Sequence, residues 1–134
     1  MRVATLAIGL LAAMSAVGVV FALAGCDGAA TLADINVEAN DSDEFDPVTV
    51  NVEPGQRVIW TNTDSDAHTV TVDPLNPAPG GPNSGDIAPG GTFTWTVPGG
   101  IVPGTRWFYH CEHHGTPGDG TGLGVGMVGV MVAF

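Results

Sequence analysis

Apolar and polar residues alternate along several short segments between residues 33 and 134, which is the pattern of half-buried β-strands. The clearest case is the segment 47–53, where Val48, Val50 and Val52 share one face, followed by a turn at Pro54-Gly55. The same reasoning predicts strands at 35–39, 57–62, 67–73, 92–97, 106–111 and 127–134, with a Pro-, Gly- and Asn-rich loop at 74–90. No segment after residue 27 has a useful length of helical periodicity. The pattern therefore predicts an all-β sandwich or small barrel.

The first 25 residues have a different pattern, with Arg2 ahead of a long apolar run at 3–23. A short charged start and an apolar middle are typical of a secretory signal peptide, although about 20 apolar residues also suffice to span a membrane. The residues Leu23-Ala24-Gly25-Cys26 resemble the lipobox of lipoproteins, in which the chain is cut before a cysteine that carries a diacylglycerol. Three outcomes stay open: lipidation of Cys26, a retained helical anchor, or cleavage without lipid. All three place the rest of the chain outside the cytoplasm.

The resulting organisation is a signal peptide at 1–25, a lipidated Cys26 with a tether at 26–32, and one domain at 33–134. This domain is acidic, because after Cys26 only Arg57 and Arg106 oppose 14 acidic residues, a net charge of −12 with histidine neutral. Such a surface repels nucleic acid and attracts cationic partners over roughly 8–10 Å. Plain solubility, or adaptation to a salty habitat, explains the charge equally well.

The residues with the strongest chemical signal lie in the last quarter of the chain. Cys111 ends a predicted strand in the segment Phe-Tyr-His-Cys-Glu-His-His-Gly at 108–115, and His114 follows three residues later in the predicted turn. Met127 opens the last predicted strand, and His68 lies upstream before another strand. Two imidazoles, a thiolate and a thioether suit copper in a trigonal site with a weak axial sulfur. Structural zinc sites normally use four strong ligands, and iron–sulfur clusters require more cysteines.

The order His … Cys-x-x-His … Met resembles the plastocyanin, amicyanin and halocyanin branch of the cupredoxins, the type 1 blue copper proteins. The resemblance covers residues 33–134 and includes Trp-Thr-Asn at 60–62 and Gly-Met-Val-Gly at 126–129. It implies a cupredoxin-like Greek-key β-sandwich or barrel of about seven or eight strands. It also implies one copper ion, held by His68, Cys111, His114 and Met127.

One departure from that family concerns the loop before Met127. Twelve residues, 115–126, separate it from His114, whereas plastocyanin and amicyanin use shorter loops. The additional residues either bulge outward or alter the axial position, and Met131 is the other candidate for the axial sulfur.

Several neighbouring residues are expected to have structural roles. Since His114 has the required spacing, His113 is expected to be exposed. Strand alternation points His110 away from the metal. The three tryptophans are expected in the core: Trp60, Trp95 and Trp107.

The resemblance implies single-electron transfer between redox proteins such as cytochromes or membrane oxidoreductases, by a monomer tethered through its lipid. No arrangement of groups for substrate turnover is present in the sequence, so we expect a protein that is not an enzyme and does not bind nucleic acid. The alternative is a copper-binding protein that stores or delivers the ion. In the family, the histidine that corresponds to His114 reaches the surface through an apolar patch where partners dock. In this chain the resemblance implies a patch formed by Pro117, Leu123 and Val125.

Overall fold

The computed structural model of the protein describes residues 31–134. The signal peptide and the lipidation at Cys26 fall on residues outside this range, so they stay predictions. Within the described residues there is no helix, and accordingly none of a length and apolarity that would cross a membrane.

Eight strands form two four-stranded sheets, which confirms the all-β prediction. The strands are β1 (Ile35–Asn40), β2 (Glu44–Asp46), β3 (Thr49–Val52), β4 (Arg57–Asn62), β5 (Thr71–Val72), β6 (Thr92–Thr96), β7 (Arg106–Thr116) and β8 (Val125–Ala133). The first sheet has the order β2-β1-β4-β6 and the second the order β3-β8-β7-β5. Both sheets mix parallel and antiparallel pairs, since β1–β4 and β3–β8 are parallel.

The hydrophobic core takes side chains from both sheets, because alternate residues of each strand point to the same side. Val37 and Trp60 come from the first sheet, Val52 and Met131 from the second, and all four are fully buried. Burying an apolar side chain such as Val or Met stabilises the folded protein by roughly 1.5–3 kcal/mol. Of the other two tryptophans, Trp107 is fully buried, and the partly buried Trp95 packs on the core.

Aromatic rings fill the centre of the core around Tyr109 of β7. Its ring centroid lies 5.0 Å from that of Phe45 and 5.5 Å from that of Trp60. On the neighbouring strand, a Cβ added at Gly129 would lie 2.4 Å from Cζ of Tyr109. The ring therefore occupies space that any side chain at position 129 would need. Burial raises the pKa of the Tyr109 phenol, which stays protonated.

The boundaries of two predicted strands are wrong, both beside the residues that carry the chemistry. The segment 67–73 forms only the two-residue strand β5, and His68 pairs with Ile87 through an isolated bridge. In contrast, β7 continues past Cys111 to Thr116, so that His114 lies in an irregular part of a strand rather than in a turn.

Two smaller differences lie at the edges of the sheets. Pairing of β3 with β8 begins at Thr49, so Val48 precedes the ladder and its side chain is exposed, unlike Val50 and Val52. The short strand β2 has no counterpart in the prediction. It follows a turn in which Asn40 Oδ1 accepts hydrogen bonds from the backbone of Ser42 and Glu44.

Candidate metal centre

Three side chains, two from β7 and one from the segment before β5, bring their donor atoms together. Nδ1 of His68 lies 3.1 Å from Nδ1 of His114, and Cys111 Sγ lies 3.7 Å and 3.6 Å from these two nitrogens. The three residues form a group with the spacing of metal ligands.

The size of this triangle allows a direct test of whether an ion fits. A point equidistant from the three atoms lies about 2 Å from each, close to the usual lengths of metal–imidazole and metal–thiolate bonds. Two borderline nitrogen donors and one soft sulfur donor in a trigonal arrangement suit copper. The donor set and its dimensions therefore both fit a copper ion.

His68 is fixed by the backbone on both sides. Its N–H donates to Ile87 O at 3.2 Å, and the N–H of Ile87 donates to His68 O at 2.7 Å. The buried side chain of Asn62, at the end of β4, donates through Nδ2 to the carbonyls of Asp66 and Ile87 at 2.7 and 2.8 Å. The sequence Asn62…His68 therefore folds into a closed turn that presents the imidazole to the site.

Cys111 is fully buried and accepts a hydrogen bond from the backbone of the residue that follows His68. The N–H of Thr69 lies 3.3 Å from Sγ. The Thr69 hydroxyl in turn accepts from the N–H of Glu112 at 2.8 Å. A donor aimed at sulfur stabilises the thiolate, which is the form that binds metal.

His114 and His113 have different surroundings. The side chain of His114 is 26% exposed, so part of it reaches solvent, while its Nδ1 faces the other two donors. His113 is exposed and its Nε2 lies 2.7 Å from an oxygen of Asp86, outside the metal group. The cysteine-to-histidine spacing thus identifies the histidine that faces the other two donors.

The pairing of β7 with β8 places Met127 opposite the metal group. His110 pairs with Val128 and Gly115 pairs with Gly126, so the four residues 111–114 bulge opposite Met127 alone. Met131 lies four residues further along β8 and pairs with Trp107, away from the bulge. Both methionines are fully buried. Met127 is therefore the methionine whose backbone lies beside the ligand-bearing segment, and its role as a ligand stays a prediction.

The long loop before Met127 folds back over the sheet beside β5. The N–H of Gly118 donates to Asp73 Oδ2 at 2.7 Å. Gly120 lies so close to residue 75 that a Cβ atom added to it would be 2.2 Å from the carbonyl oxygen of Leu75. The additional residues thus pack along 73–75 and do not displace β8 from its pairing with β7.

His110, next to the cysteine in the chain, forms a buried pair on the other face of β7. Its Nδ1 lies 2.7 Å from Asp73 Oδ1, and the two side chains are 8% and 1% exposed. Asp73 consequently accepts hydrogen bonds both from His110 of β7 and from Gly118 of the loop before Met127.

Two carboxylates beside the histidines were not anticipated from the sequence. Asp64 Oδ2 lies 3.1 Å from Nε2 of His68, and Asp43 Oδ1 lies 3.4 Å from Nδ1 of His114. The hydrogen bond from the Ser65 N–H holds the pKa of Asp64 below its usual range, His68 lowers it further, and burial opposes both. The only signal in the sequence was the i, i+4 spacing of Asp64 and His68, which is too common to be informative.

Comparison with known proteins gives a likeness in structure but none in sequence. No protein-family model matches the chain, and no curated protein sequence matches it. Among solved structures, a variant of amicyanin is 17% identical over 75% of this chain and 82% of its own, with a TM-score of 0.55. A purple cupredoxin from Nitrosopumilus maritimus is 18% identical over 75% of this chain and 100% of its own, with a TM-score of 0.53.

A copper-containing nitrite reductase from Thermus scotoductus is also similar, at 16% identity over 76% of this chain and a TM-score of 0.57. This chain spans only 22% of that enzyme's length. At such identities the comparisons establish the fold alone, so that the all-β, two-sheet architecture of this chain matches that of cupredoxins.

Proposed function

We propose that this chain, which has the cupredoxin fold, is an extracytoplasmic copper protein that passes single electrons between redox partners. The observation that carries the proposal is the convergence of two imidazole nitrogens and one thiolate sulfur within 3.1–3.7 Å of one another. A bound copper ion supplies a one-electron couple, Cu(II)/Cu(I).

The protein's contribution is to hold the donors in one arrangement for both oxidation states. His68 is fixed by the Ile87 bridge, and Cys111 by β7 and the Thr69 N–H. Paired residues on both sides of the bulge hold the segment that carries Cys111 and His114. A site that changes little on reduction needs little reorganisation, which favours rapid electron exchange.

Met127 is proposed as the axial ligand, and its replacement gives a test. We expect Met127→Leu to raise the reduction potential by about 59 mV, which corresponds to about tenfold weaker binding of Cu(II) relative to Cu(I), because Cu(I) accepts the lower coordination number of the three remaining donors more readily than Cu(II) does. Cyclic voltammetry and the optical spectrum measure the change. The matched control is Met131→Leu, a volume-conserving core substitution that should leave both unchanged. Equal effects of the two substitutions would contradict the assignment.

Electrons are proposed to enter or leave through the exposed edge of His114. Val125 lines the surface depression beside this histidine and is 76% exposed, and Leu123 of the same loop is 42% exposed. We propose that these two side chains, with the exposed Pro117, form the apolar patch that a partner covers. The net negative charge of the chain, with the exposed Asp43 beside His114, favours a partner with a cationic docking face.

Adding a negative charge to this patch should slow electron exchange with a cytochrome partner. We expect Val125→Asp to lower the second-order rate constant at least ~10-fold, because the charged side chain must lose its water in the docked complex and breaks the apolar contact, which outweighs its long-range attraction to a cationic partner. Stopped-flow spectroscopy measures the rate. Val102→Asp makes the same change at a residue 68% exposed near the opposite end of β8. If both variants react at one rate, the partner docks elsewhere.

The proposed location rests on the signal-type segment at 1–25 and on Cys26, whose sulfur would carry a lipid. The protein would then remain at the outer face of a membrane as a monomer. Mass spectrometry of the protein isolated from membranes tests this, since lipidation adds the mass of a diacylglycerol to a chain that begins at Cys26.

One experiment distinguishes an electron carrier from a copper store. Copper is added to the metal-free protein, and the optical spectrum, voltammetry and loss of copper to a chelator are followed together. An electron carrier gives an intense thiolate-to-copper band, reversible voltammetry and slow copper loss. Rapid loss to the chelator with no such band would support the alternative, a protein that stores or delivers copper.

A further inference from the structure

The hydrogen bond between Asp64 and His68 places a negative charge one imidazole ring away from the metal group. Asp64 Oδ2 lies 3.1 Å from Nε2 of His68, while Nδ1 of the same ring faces the other donors. For the ring to bind metal through Nδ1, its proton must be on Nε2, and this N–H then donates a hydrogen bond to the Asp64 carboxylate. The carboxylate therefore selects the tautomer that can bind.

Asp64 is itself held in place by the turn that carries it. Its N–H donates to Asn62 Oδ1 at 2.9 Å, and Ser65 donates to its other oxygen, Oδ1. Oδ2 is left for His68. Because Asn62 is fully buried and ends β4, its side chain fixes the backbone of Asp64 to the sheet.

Burial distinguishes Asp64 from the other acidic residue near the site. The side chain of Asp64 is 11% exposed and that of Asp43 is 53% exposed. A charge shielded from solvent is screened less by water and salt. The charge of Asp64 is therefore screened less by water and salt than the charge of Asp43.

The geometry points to Asp64 as a positioning residue that acts through His68 and biases the site toward the oxidised ion. A carboxylate that accepts the outer N–H of a ligating imidazole makes that imidazole a stronger donor. Both the stronger donor and the added negative charge stabilise Cu(II) more than Cu(I). This inference rests on the proposed function, because it assumes that copper occupies the site.

The test compares three variants of the full chain in detergent, loaded with copper alone. Asp64→Asn removes the charge and retains an oxygen acceptor, and Asp64→Ala removes both. The control Asp66→Asn makes the same change of charge two residues away, at an exposed side chain. We expect Asp64→Asn to lower the ratio of Cu(II) to Cu(I) affinity about tenfold, a rise of 59 mV in potential, and Asp64→Ala to lower it further. Asp66→Asn should change the ratio less than twofold.

A second readout on the metal-free chain does not depend on copper. At pH 8, ¹⁵N NMR should show the neutral His68 ring protonated on Nε2 in the unmodified protein and a mixture of tautomers in Asp64→Ala. Equal shifts in potential for Asp64→Asn and Asp66→Asn would overturn the inference. So would a His68 ring protonated on Nδ1, or one unchanged by Asp64→Ala.

Failure of the proposed function is visible separately, as the absence of a thiolate-to-copper band in the unmodified protein. The tautomer measurement then decides whether Asp64 positions His68.

Discussion

Replacing Cys111 with serine should abolish the thiolate-to-copper absorption band and weaken copper binding at least ~100-fold. Changes to groups that only orient a ligand cost 10–100-fold in metal affinity, and this substitution removes a ligand itself. A serine hydroxyl stays protonated near neutral pH and is a poor donor for copper. Titration with copper, followed by absorption and by competition with a chelator, measures both effects.

The fold should tolerate this substitution, because serine is close to cysteine in size and the Thr69 N–H can donate to its hydroxyl. The far-ultraviolet circular dichroism of the variant should therefore match that of the parent. His113→Ala serves as a matched control, since His113 is exposed and points to Asp86. It should leave the band in place. A band that survives in Cys111→Ser would exclude Cys111 as the ligand.

Replacing Asp73 with alanine should lower the free energy of unfolding by about 2–4 kcal/mol, since a buried donor left without its acceptor costs about 1–3 kcal/mol and two donors are affected. The carboxylate is 1% exposed and accepts from His110 and from the N–H of Gly118. Both donors would lose their acceptor in the interior. Denaturant unfolding of the metal-free protein measures the loss.

The exposed Asp41, in the turn after β1, offers a control with the same change of charge. Asp41→Ala should change the unfolding free energy by less than about 0.5 kcal/mol, as surface substitutions usually do. A double-mutant cycle with His110→Ala isolates the pair, and neighbours in one network usually couple by 0.5–3 kcal/mol. If Asp73→Ala were no more destabilising than Asp41→Ala, the buried pair would not contribute to stability.

The sequence allowed the fold class and two of the three converging residues, Cys111 and His114, to be predicted because the information for both was local. Alternation along 57–62 and 92–97 defines strands that the structure reproduces almost to the residue. The cysteine-to-histidine spacing places Cys111 and His114 on one short segment. His68 was found only because an imidazole upstream was needed to complete the donor set.

What could not be predicted depends on contacts between distant segments. Residues 67–70 alternate like a strand, yet Asn62 and Ile87 fold them into a turn, and neither contact has a local signature. The extension of β7 through Thr116 depends on pairing with Gly126 across a bulge. Asp73 and Asp64 are ordinary acidic residues in the sequence, and only the fold brings them to histidines.

The close contact between Tyr109 and Gly129 has a consequence for how related sequences can diverge. The ring at 109 occupies the space of a side chain at 129, so each residue limits which residue the other position accepts. A larger residue at 129 would first require a smaller one at 109, and the aromatic centre beside Phe45 would then need to be refilled. The two positions should therefore co-vary during evolution, and a tyrosine at the first should predict a glycine at the second.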